Sequence, residues 1–338
     1  MAEAKNVRGR FFAVDKRLCE QVCELGMNAA VAYLVLACGT DRNNRITEWS
    51  VHAIEKYTGI SRARARAAVE TLISGKFIRP VGSSNDHPVY EILSLGQKPP
   101  EKGVIIWLPN ALVTGAANET PPVELVRQTQ DVMVLRLLLD LYHAQDLVGE
   151  SGVPRHYVWQ KYERERIGQR GEYDVWAFRD PREWVKCAGF TLCHIRKEGS
   201  ENERGSDFFQ RLNSLVSVGL VEWVPCLLES ALEDAEIIHP LHLTSDVELE
   251  SRLAWATQTV AEAMLSEGQL KRADGLILAP VPRHLSRVQL IGIARLRYRS
   301  DTSRTAAWWG RLNQKGERYI VRYNELARRW GDAAATGT

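Results

Sequence analysis

The chain has 338 residues, of which 45% are hydrophobic and 25% charged, a globular composition that excludes a wholly disordered chain and predicts about two or three domains. Its apolar runs are far shorter than the roughly 20 residues of a membrane-spanning helix, and the first residues have no signal-peptide apolar segment. The six cysteines form no Cys-x-x-Cys pair, so we expect a cytoplasmic protein that contacts no membrane.

The net charge of +2 conceals an asymmetry between two neighbouring parts of the chain. Residues 225–268 carry nine acidic side chains and one basic side chain, whereas residues 270–338 carry fourteen basic and five acidic ones. A basic segment after an acidic one indicates a polyanion partner, internal charge pairing, or simply a solvated charged surface.

The first 95 residues predict three helices and a β-hairpin. Apolar residues recur at three- and four-residue steps in the first helix, Thr47 is a candidate N-cap of the second, and Ser61 is a candidate N-cap of the third. Two strand-like segments flank a polar loop. The predicted bounds are 15–39, 47–57 and 61–74 for the helices and 77–81 and 89–93 for the strands.

Residues 57–78 have the physical pattern of a helix-turn-helix. Gly59 permits a sharp turn, and Ser61 opens the helix that follows it. The first turns of that helix carry Arg62, Arg64 and Arg66. Each residue rotates a helix by about 100°, so Arg62 and Arg66 share a face and Arg64 does not. Arginine pairs with guanine or with phosphate, and we expect at least one of the three to bind phosphate.

This segment resembles the winged helix-turn-helix of GntR-type and MarR-type bacterial regulators. The GntR-type pattern is Ser-Arg-x-Thr-Val-Arg-x-Ala-Leu-x-x-Leu, followed by Gly-Leu-Ile into the wing. The chain matches this pattern at Ser61, Arg62, Arg66, Ala68 and Leu72. It departs from the pattern at Arg64, Ala65 and Lys76, where the family has Thr, Val and Gly. The resemblance covers about residues 15–93 and implies that Ser61, Arg62 and Arg66 contact DNA.

The remaining chain predicts a diverged copy of this unit and a basic module. Residues 94–103 have the composition of a linker. Residues 207–224 repeat the order of helix, glycine and strand seen in residues 69–78. An alternating segment, residues 288–299, predicts a strand with Arg295, Arg297 and Arg299 on one face. The last helix is predicted over residues 317–330, with Gly331 as its stop.

The predicted fold class is therefore α+β, mostly α with small β-hairpins. It comprises a winged helix-turn-helix at 1–95, a second winged-helix-like domain with an insertion at 104–245, an acidic helix and basic strand/helix module at 246–331, and a disordered tail at 332–338. The two winged helices stand in tandem.

The candidate DNA contacts extend beyond the third helix to its surroundings. The wing loop supplies two polar side chains, although an ordinary hairpin turn would have the same composition. The full set is Thr47, Ser61, Arg62, Arg64, Arg66, Lys76, Arg79, Ser84, Asn85, Arg295, Arg297 and Arg299.

The sequence contains only weak matches to catalytic or metal-binding motifs. There is no Walker-type phosphate loop and no Gly-x-Ser-x-Gly elbow, and Cys19 and Cys23 are typical of buried core thiols. A second set of thiols and imidazoles could in principle form a zinc site, but its spacing fits no common one. This set is Cys187, Cys193, His194, His239 and His242. The order His284, Arg287, Trp309, Tyr319 resembles that of tyrosine recombinases, but a strand-like segment follows where that family has a helix. We expect no catalytic residue, metal or cofactor.

The sequence thus predicts a sequence-specific double-stranded DNA-binding protein, with a bacterial or mobile-element transcription regulator as first hypothesis. One short helix reads only a few base pairs, so we expect a homodimer. The tandem layout resembles plasmid and phage replication initiators, the second hypothesis. The third is a structural subunit of a nucleoprotein complex, whose winged helices bind protein or RNA and whose second domain contacts a protein partner.

Overall fold

The computed structural model describes residues 10–40, 44–81, 88–93, 104–116, 119–179, 184–186, 201–232, 234–245, 247–299 and 303–335. Within these ranges the fold is mixed α and β, with eleven helices and thirteen strands in four sheets. This agrees with the predicted α+β class. No helix in these ranges combines the length and the apolarity that crossing a bilayer requires.

The helices are α1 Lys16–Glu24, α2 Met27–Cys38, α3 Val51–Thr58, α4 Arg62–Ser74, α5 Ala111–Thr114, α6 Pro122–Gln128, α7 Val132–Ala144, α8 Glu201–Ser217, α9 Glu248–Ala263, α10 Glu267–Arg272 and α11 Ser303–Ala335. The strands are β1 Phe11–Asp15, β2 Ile46–Thr47, β3 Ile78–Pro80, β4 Tyr90–Ile92, β5 Ile105–Pro109, β6 Val158–Lys161, β7 Glu163–Arg170, β8 Tyr173–Arg179, β9 Trp184–Lys186, β10 Val221–Leu228, β11 Ile237–Pro240, β12 Ile277–Pro282 and β13 Gln289–Leu296.

The chain divides into two compact units, each assembled from three segments. Of the described residues, the first unit holds those in 10–145, 201–222 and 296–299. The second unit holds those in 146–186, 223–295 and 303–335. This division differs from the predicted contiguous domains 1–95, 104–245 and 246–331. The predicted second domain contributes α6, α7 and α8 to the first unit and β6 to β9 to the second.

The core of the first unit surrounds α2, whose residues Ala29–Cys38 are all buried. A helix that is apolar on every side is stable only when other elements cover it, and α1, α3, α4, α6 and α7 all contact α2. Strands β1 and β5 pair antiparallel, with Phe12 opposite Leu108. The predicted boundary at 94–103, which lies outside the described residues, therefore separates two parts of one unit.

The predicted helix over residues 15–39 is two helices with a strand before them. Gly26 has φ of +98°, a backbone conformation that ends α1 and begins α2. Residues 11–15 form β1, so the first residue of the predicted helix, Asp15, lies in a strand. Apolar periodicity continues across the break, because both helices pack into the same core, so the periodicity did not reveal it.

The second predicted helix begins later than expected. Thr47 lies in β2, its side chain is buried, and its hydroxyl accepts a hydrogen bond from the Trp49 backbone N–H. Helix α3 starts at Val51, with Ser50 as the preceding residue. Strand β2 joins β4 and β3 in the order β2-β4-β3, so the predicted hairpin has a third strand.

The second unit is layered, with two sheets and a pair of helices. The sheet β12-β8-β7 packs on one side against α9 and α11, through residues such as Val175, Val260 and Tyr323. Its other side packs against the five-stranded sheet β11-β10-β13-β6-β9, through residues such as Phe178 and Leu290. A further cluster covers the opposite face of the five-stranded sheet.

The last helix is longer than predicted at both ends, because α11 begins at Ser303 and continues past Gly331 to Ala335. On its buried side, Ile320, Tyr323 and Trp330 lie in the core shared with α9. Residues 332–335 of the predicted disordered tail are therefore helical, and residues 336–338 lie outside the described ranges.

Candidate nucleic-acid interface

Helix α4 is held by a capped N-terminus and an apolar rear face. The Ser61 hydroxyl accepts a hydrogen bond from the Arg64 backbone N–H at 3.5 Å, so the predicted N-cap is confirmed. The rear of the helix is buried through Ala65, Ala68, Val69 and Leu72. The opposite side of α4 is thereby fixed toward solvent.

The side chains of Arg62, Arg64 and Arg66 are all exposed. No acidic side chain in the described part of the chain forms an ion pair with any of them. At about 100° per residue, Arg62 and Arg66 lie about 40° apart and Arg64 lies about 160° from each. The arginines therefore flank the exposed face on both sides. Ala63 and Ala67, both exposed, lie between them.

The turn between α3 and α4 is closed by hydrogen bonds from three directions. Gly59 has φ of +65°, and its N–H donates to the Glu55 carbonyl. The Thr58 hydroxyl donates to the Ile54 carbonyl at 2.6 Å. From α6, Arg127 Nε donates to the Thr58 carbonyl at 2.6 Å. Ile60, between Gly59 and Ser61, is buried and anchors the turn in the core.

The contacts of α6 with this turn were not predicted from the sequence. A Cβ on Gly59 would lie 2.5 Å from the Glu124 carboxylate, so α6 sits directly against the turn. Arg127 is separated from Thr58 by 69 positions, and no local pattern signals a hydrogen bond over that separation.

Helix α4 ends in a Schellman motif whose left-handed residue is Lys76, with φ of +60°. The Phe77 N–H donates to the Leu72 carbonyl and the Lys76 N–H to the Ile73 carbonyl, both at 3.0 Å. These bonds satisfy carbonyls that the helix leaves unpaired, and Phe77 turns the chain into β3. The side chain of Lys76 is exposed.

On the sheet β2-β4-β3, two arginines share one buried carboxylate. Arg45 Nε donates to Glu91 Oε1 at 2.5 Å, and Arg79 Nε donates to Glu91 Oε2. The side chain of Glu91 is 4% exposed, whereas those of Arg45 and Arg79 are 64% and 62% exposed. Burial raises the pKa of Glu91, but the hydrogen bonds from Arg79 and Arg45 outweigh it and the net pKa lies below the ordinary value. The triad carries a net positive charge.

Some candidate contacts are corrected or lie outside the described residues. Thr47 is buried and cannot reach a ligand. Ser84 and Asn85 fall in residues 82–87, outside the described ranges. Arg79 is exposed as predicted, but its Nε is committed to Glu91. Arg45 was not among the candidates, because its role depends on the pairing of β2 with β4.

The predicted arginine face of residues 288–299 is wrong. All eight residues of β13 are buried, since this central strand is covered on both faces. Arg295 forms a two-pronged ion pair with Glu250, at 2.8 and 3.0 Å. Arg297 follows the strand and pairs with Glu119 at 2.8 Å, and Arg299 is half-buried. Two of the three are engaged by carboxylates, and none of them forms the exposed face expected.

The weaker chemical alternatives also find little support. Within the described ranges no group of three or more His, Cys, Asp or Glu side chains is arranged to hold a metal ion; Cys187, Cys193 and His194 lie outside them. Cys19 and Cys23 are buried, and burial raises the pKa of both thiols. Tyr319 stacks against Tyr323, with ring centres 5.8 Å apart.

Comparisons with models of protein families, with curated proteins and with solved structures found no match to this chain. The functional argument therefore depends on the residues and their geometry.

Proposed function

We propose that the chain binds double-stranded DNA in a sequence-specific manner through a winged helix-turn-helix. This unit would comprise α2, α3 and α4 with the sheet β2-β4-β3, and α4 would enter the major groove. The observation that carries the proposal is the exposure of Arg62, Arg64 and Arg66 on a capped helix, unpaired with any acid of the described chain.

The shape of the exposed face of α4 supports insertion into a groove. Ala63 and Ala67 at its centre let the helix axis approach the base edges, and the flanking arginines reach further outward. Arginine hydrogen-bonds to guanine or to phosphate from such positions. Glu70 lies about one turn beyond Arg66 and is exposed. Its negative charge disfavours a phosphate at that point. The DNA contacts would therefore concentrate at the N-terminal end of α4.

Lys76 and the sheet β2-β4-β3 add further positive charge to that of α4. Lys76 is exposed at the C-terminal end of α4, and the Arg45–Glu91–Arg79 triad presents two guanidinium groups on the sheet. The shared carboxylate holds each arginine through its Nε, and both arginine side chains remain mostly exposed. Preoriented cations of this kind suit phosphate oxygens.

We propose transcription regulation as the role, by a homodimer whose two recognition helices bind a two-fold symmetric site. Replication initiation is the second candidate because α8 ends as α4 does. Gly219 has φ of +72°, and the Leu220 N–H donates to the Leu215 carbonyl. Aligned without gaps, Leu215 to Val221 correspond to Leu72 to Ile78, which supports a second, diverged reading unit.

The test is selection of bound duplexes from a random library by the full chain at about 150 mM salt, because affinity for DNA depends steeply on salt. We expect a discrete motif. Arg64→Ala and Arg66→Ala should each relax one position of the motif at a cost of about 1–3 kcal/mol if the arginine contacts a base.

The matched control is Arg272→Ala, which removes the same charge from an exposed position on α10, and its motif should equal that of the unsubstituted protein. A two-fold symmetric motif would indicate a regulator and tandem direct repeats an initiator. Binding without sequence preference, unchanged in all three variants, would show that α4 does not read DNA.

A further inference from the structure

Helix α11 carries a second basic surface in the second unit. Five basic residues lie within about 60° of arc around the helix axis, at about 100° per residue. They are Arg311, Lys315, Arg318, Arg322 and Arg329, and all five are exposed. We call this set the α11 stripe. From Arg311 to Arg329 it extends about 27 Å, at about 1.5 Å per residue.

The α11 stripe is oriented by the core of the second unit. Ile320, Tyr323 and Trp330 bury the other side of the helix against α9 and the sheet β12-β8-β7. Arg252 Nη1 of α9 pairs at 2.7 Å with Glu317, which lies about 100–120° from the stripe's edge. The stripe therefore keeps its direction and its spacing without a ligand.

Most of the charge on the α11 stripe is not neutralised by neighbours. Arg311, Arg318 and Arg329 form no side-chain hydrogen bond or ion pair with any described residue. Lys315 Nζ donates to the Ile237 carbonyl at 3.2 Å, and Arg322 donates to the Tyr173 hydroxyl. Among the described side chains of α11, Glu325 is the one acid beside the stripe. Asp146, Glu150, Asp234 and Glu236 line a cavity together with Arg311 and Lys315.

We infer that the α11 stripe binds the sugar-phosphate backbone of duplex DNA without reading its sequence. A duplex carries about one phosphate charge per 1.7 Å of its axis, so a row of cations about 27 Å long comes within reach of several phosphates where the two backbones pass beside it. The inference rests on the proposed function for the choice of DNA as the polyanion.

An anionic lipid surface and an acidic protein fit the α11 stripe less well than a duplex does. A helix that lies on a lipid surface inserts its apolar face, but the apolar face of α11 is already buried in the second unit. Protein interfaces place aromatic and aliphatic anchors at their centre, and the 60° arc of the stripe contains only arginine and lysine among the described side chains.

The test compares two full-length triple variants that remove the same charge. The stripe variant is Arg311→Gln, Arg318→Gln, Arg329→Gln. The control variant is Arg328→Gln, Lys271→Gln, Arg272→Gln. Arg328 is adjacent to Arg329 in the chain but lies about 100° away around α11. Binding to a labelled 30-base-pair duplex is measured by fluorescence anisotropy from about 50 to 300 mM KCl.

We expect the stripe variant to reduce the slope of log K against log [KCl] by about 2–3, at about 0.9 per phosphate contact. This corresponds to a loss of affinity of about 100-fold at about 150 mM KCl, equal for the selected motif and for unrelated duplexes. The control variant should change affinity much less. Equal losses in both variants, or no loss in the stripe variant, would overturn the inference.

A second ligand separates this inference from its alternatives. If the stripe variant loses binding to poly-L-glutamate but keeps its affinity for the duplex, the stripe belongs to an acidic protein partner and the inference is wrong. If the stripe variant behaves as expected while Arg64→Ala and Arg66→Ala leave sequence preference unchanged, the proposed function fails and the stripe remains a DNA contact.

Discussion

Lys76 illustrates how a single residue can carry backbone strain at a candidate DNA contact. It has a left-handed conformation, which costs a residue with a side chain roughly 1–2 kcal/mol. Gly219 occupies the corresponding position after α8 with the same conformation. The GntR-type pattern that α4 resembles also has Gly there. A lysine at this point exchanges some stability for a charge at the end of the candidate recognition helix.

We expect Lys76→Gly to raise the free energy of unfolding by about 1 kcal/mol, because glycine adopts this conformation without the clash of a Cβ. Lys76→Ala removes the same charge but keeps the Cβ, so it should give no comparable gain. Urea denaturation of the three proteins checks this. Equal stabilisation by both substitutions would mean that charge, and not the backbone, sets the stability at this position.

At the scale of elements, α9 is fastened to β13 by a buried ion pair. The side chains of Glu250 and Arg295 are 1% and 3% exposed, and the Ser245 hydroxyl donates to Glu250 at 2.9 Å. The acidic and basic segments seen in the sequence thus meet here inside the protein. This contact supports internal charge pairing as one explanation of the asymmetry. A second pair, Arg252–Glu317, joins the same segments with the charges reversed, so it does not offset the asymmetry.

Arg295→Leu alone should lower the free energy of unfolding by about 3–5 kcal/mol, because it leaves the carboxylate of Glu250 buried without its partner. The double variant Arg295→Leu, Glu250→Leu should recover most of that loss, since it removes both charges. Chemical denaturation of the two variants measures the difference. If the double variant is as unstable as the single one, the guanidinium stabilises the unit mainly by its packing.

At the scale of the whole molecule, the two units are assembled from interleaved segments. In the second unit, the buried His239 joins β11 to α11. Its Nδ1 lies 3.1 Å from the Pro240 carbonyl and must donate to it, so its Nε2, 2.9 Å from the Tyr323 hydroxyl, accepts from that group. Burial lowers the pKa of His239 to about 4, helped by the charge of Lys315.

This pKa predicts an acid-sensitive second unit. The unfolded chain binds a proton at His239 near pH 6.5, whereas the folded protein does so only near pH 4. The contribution of the neutral histidine is therefore complete above pH 6.5 and is lost as the pH falls toward 4, by about 3 kcal/mol in total. His239→Gln should remove this part of the pH dependence. Unfolding free energies at pH 7, 5.5 and 4.5 test it, and parallel profiles for both proteins would contradict it.

Local patterns predicted the geometry of α4 and of the turn before it. The N-cap at Ser61, the turn at Gly59 and the exposure of the arginines of α4 depend on contacts within a few residues, and the structure bears out each of them. The same patterns failed at Thr47 and Arg295, which are buried. The support from Arg127 and Glu91 could not be predicted, because Arg127 and Thr58 lie 69 positions apart, and Glu91 and Arg45 lie 46 apart.

The sequence by itself determined the α+β class and the ends of α4, because capping and turn chemistry act over one or two helical turns. Tertiary structure decided which charges reach solvent. The alternation of residues 288–299 is that of a strand exposed on one face, yet β13 lies in the middle of a sheet covered on both sides, so Arg295 is buried against Glu250. It also decided the domain division, because strands such as β1 and β5 pair across about 90 residues, and such pairing is fixed by the packed core and not by any local pattern.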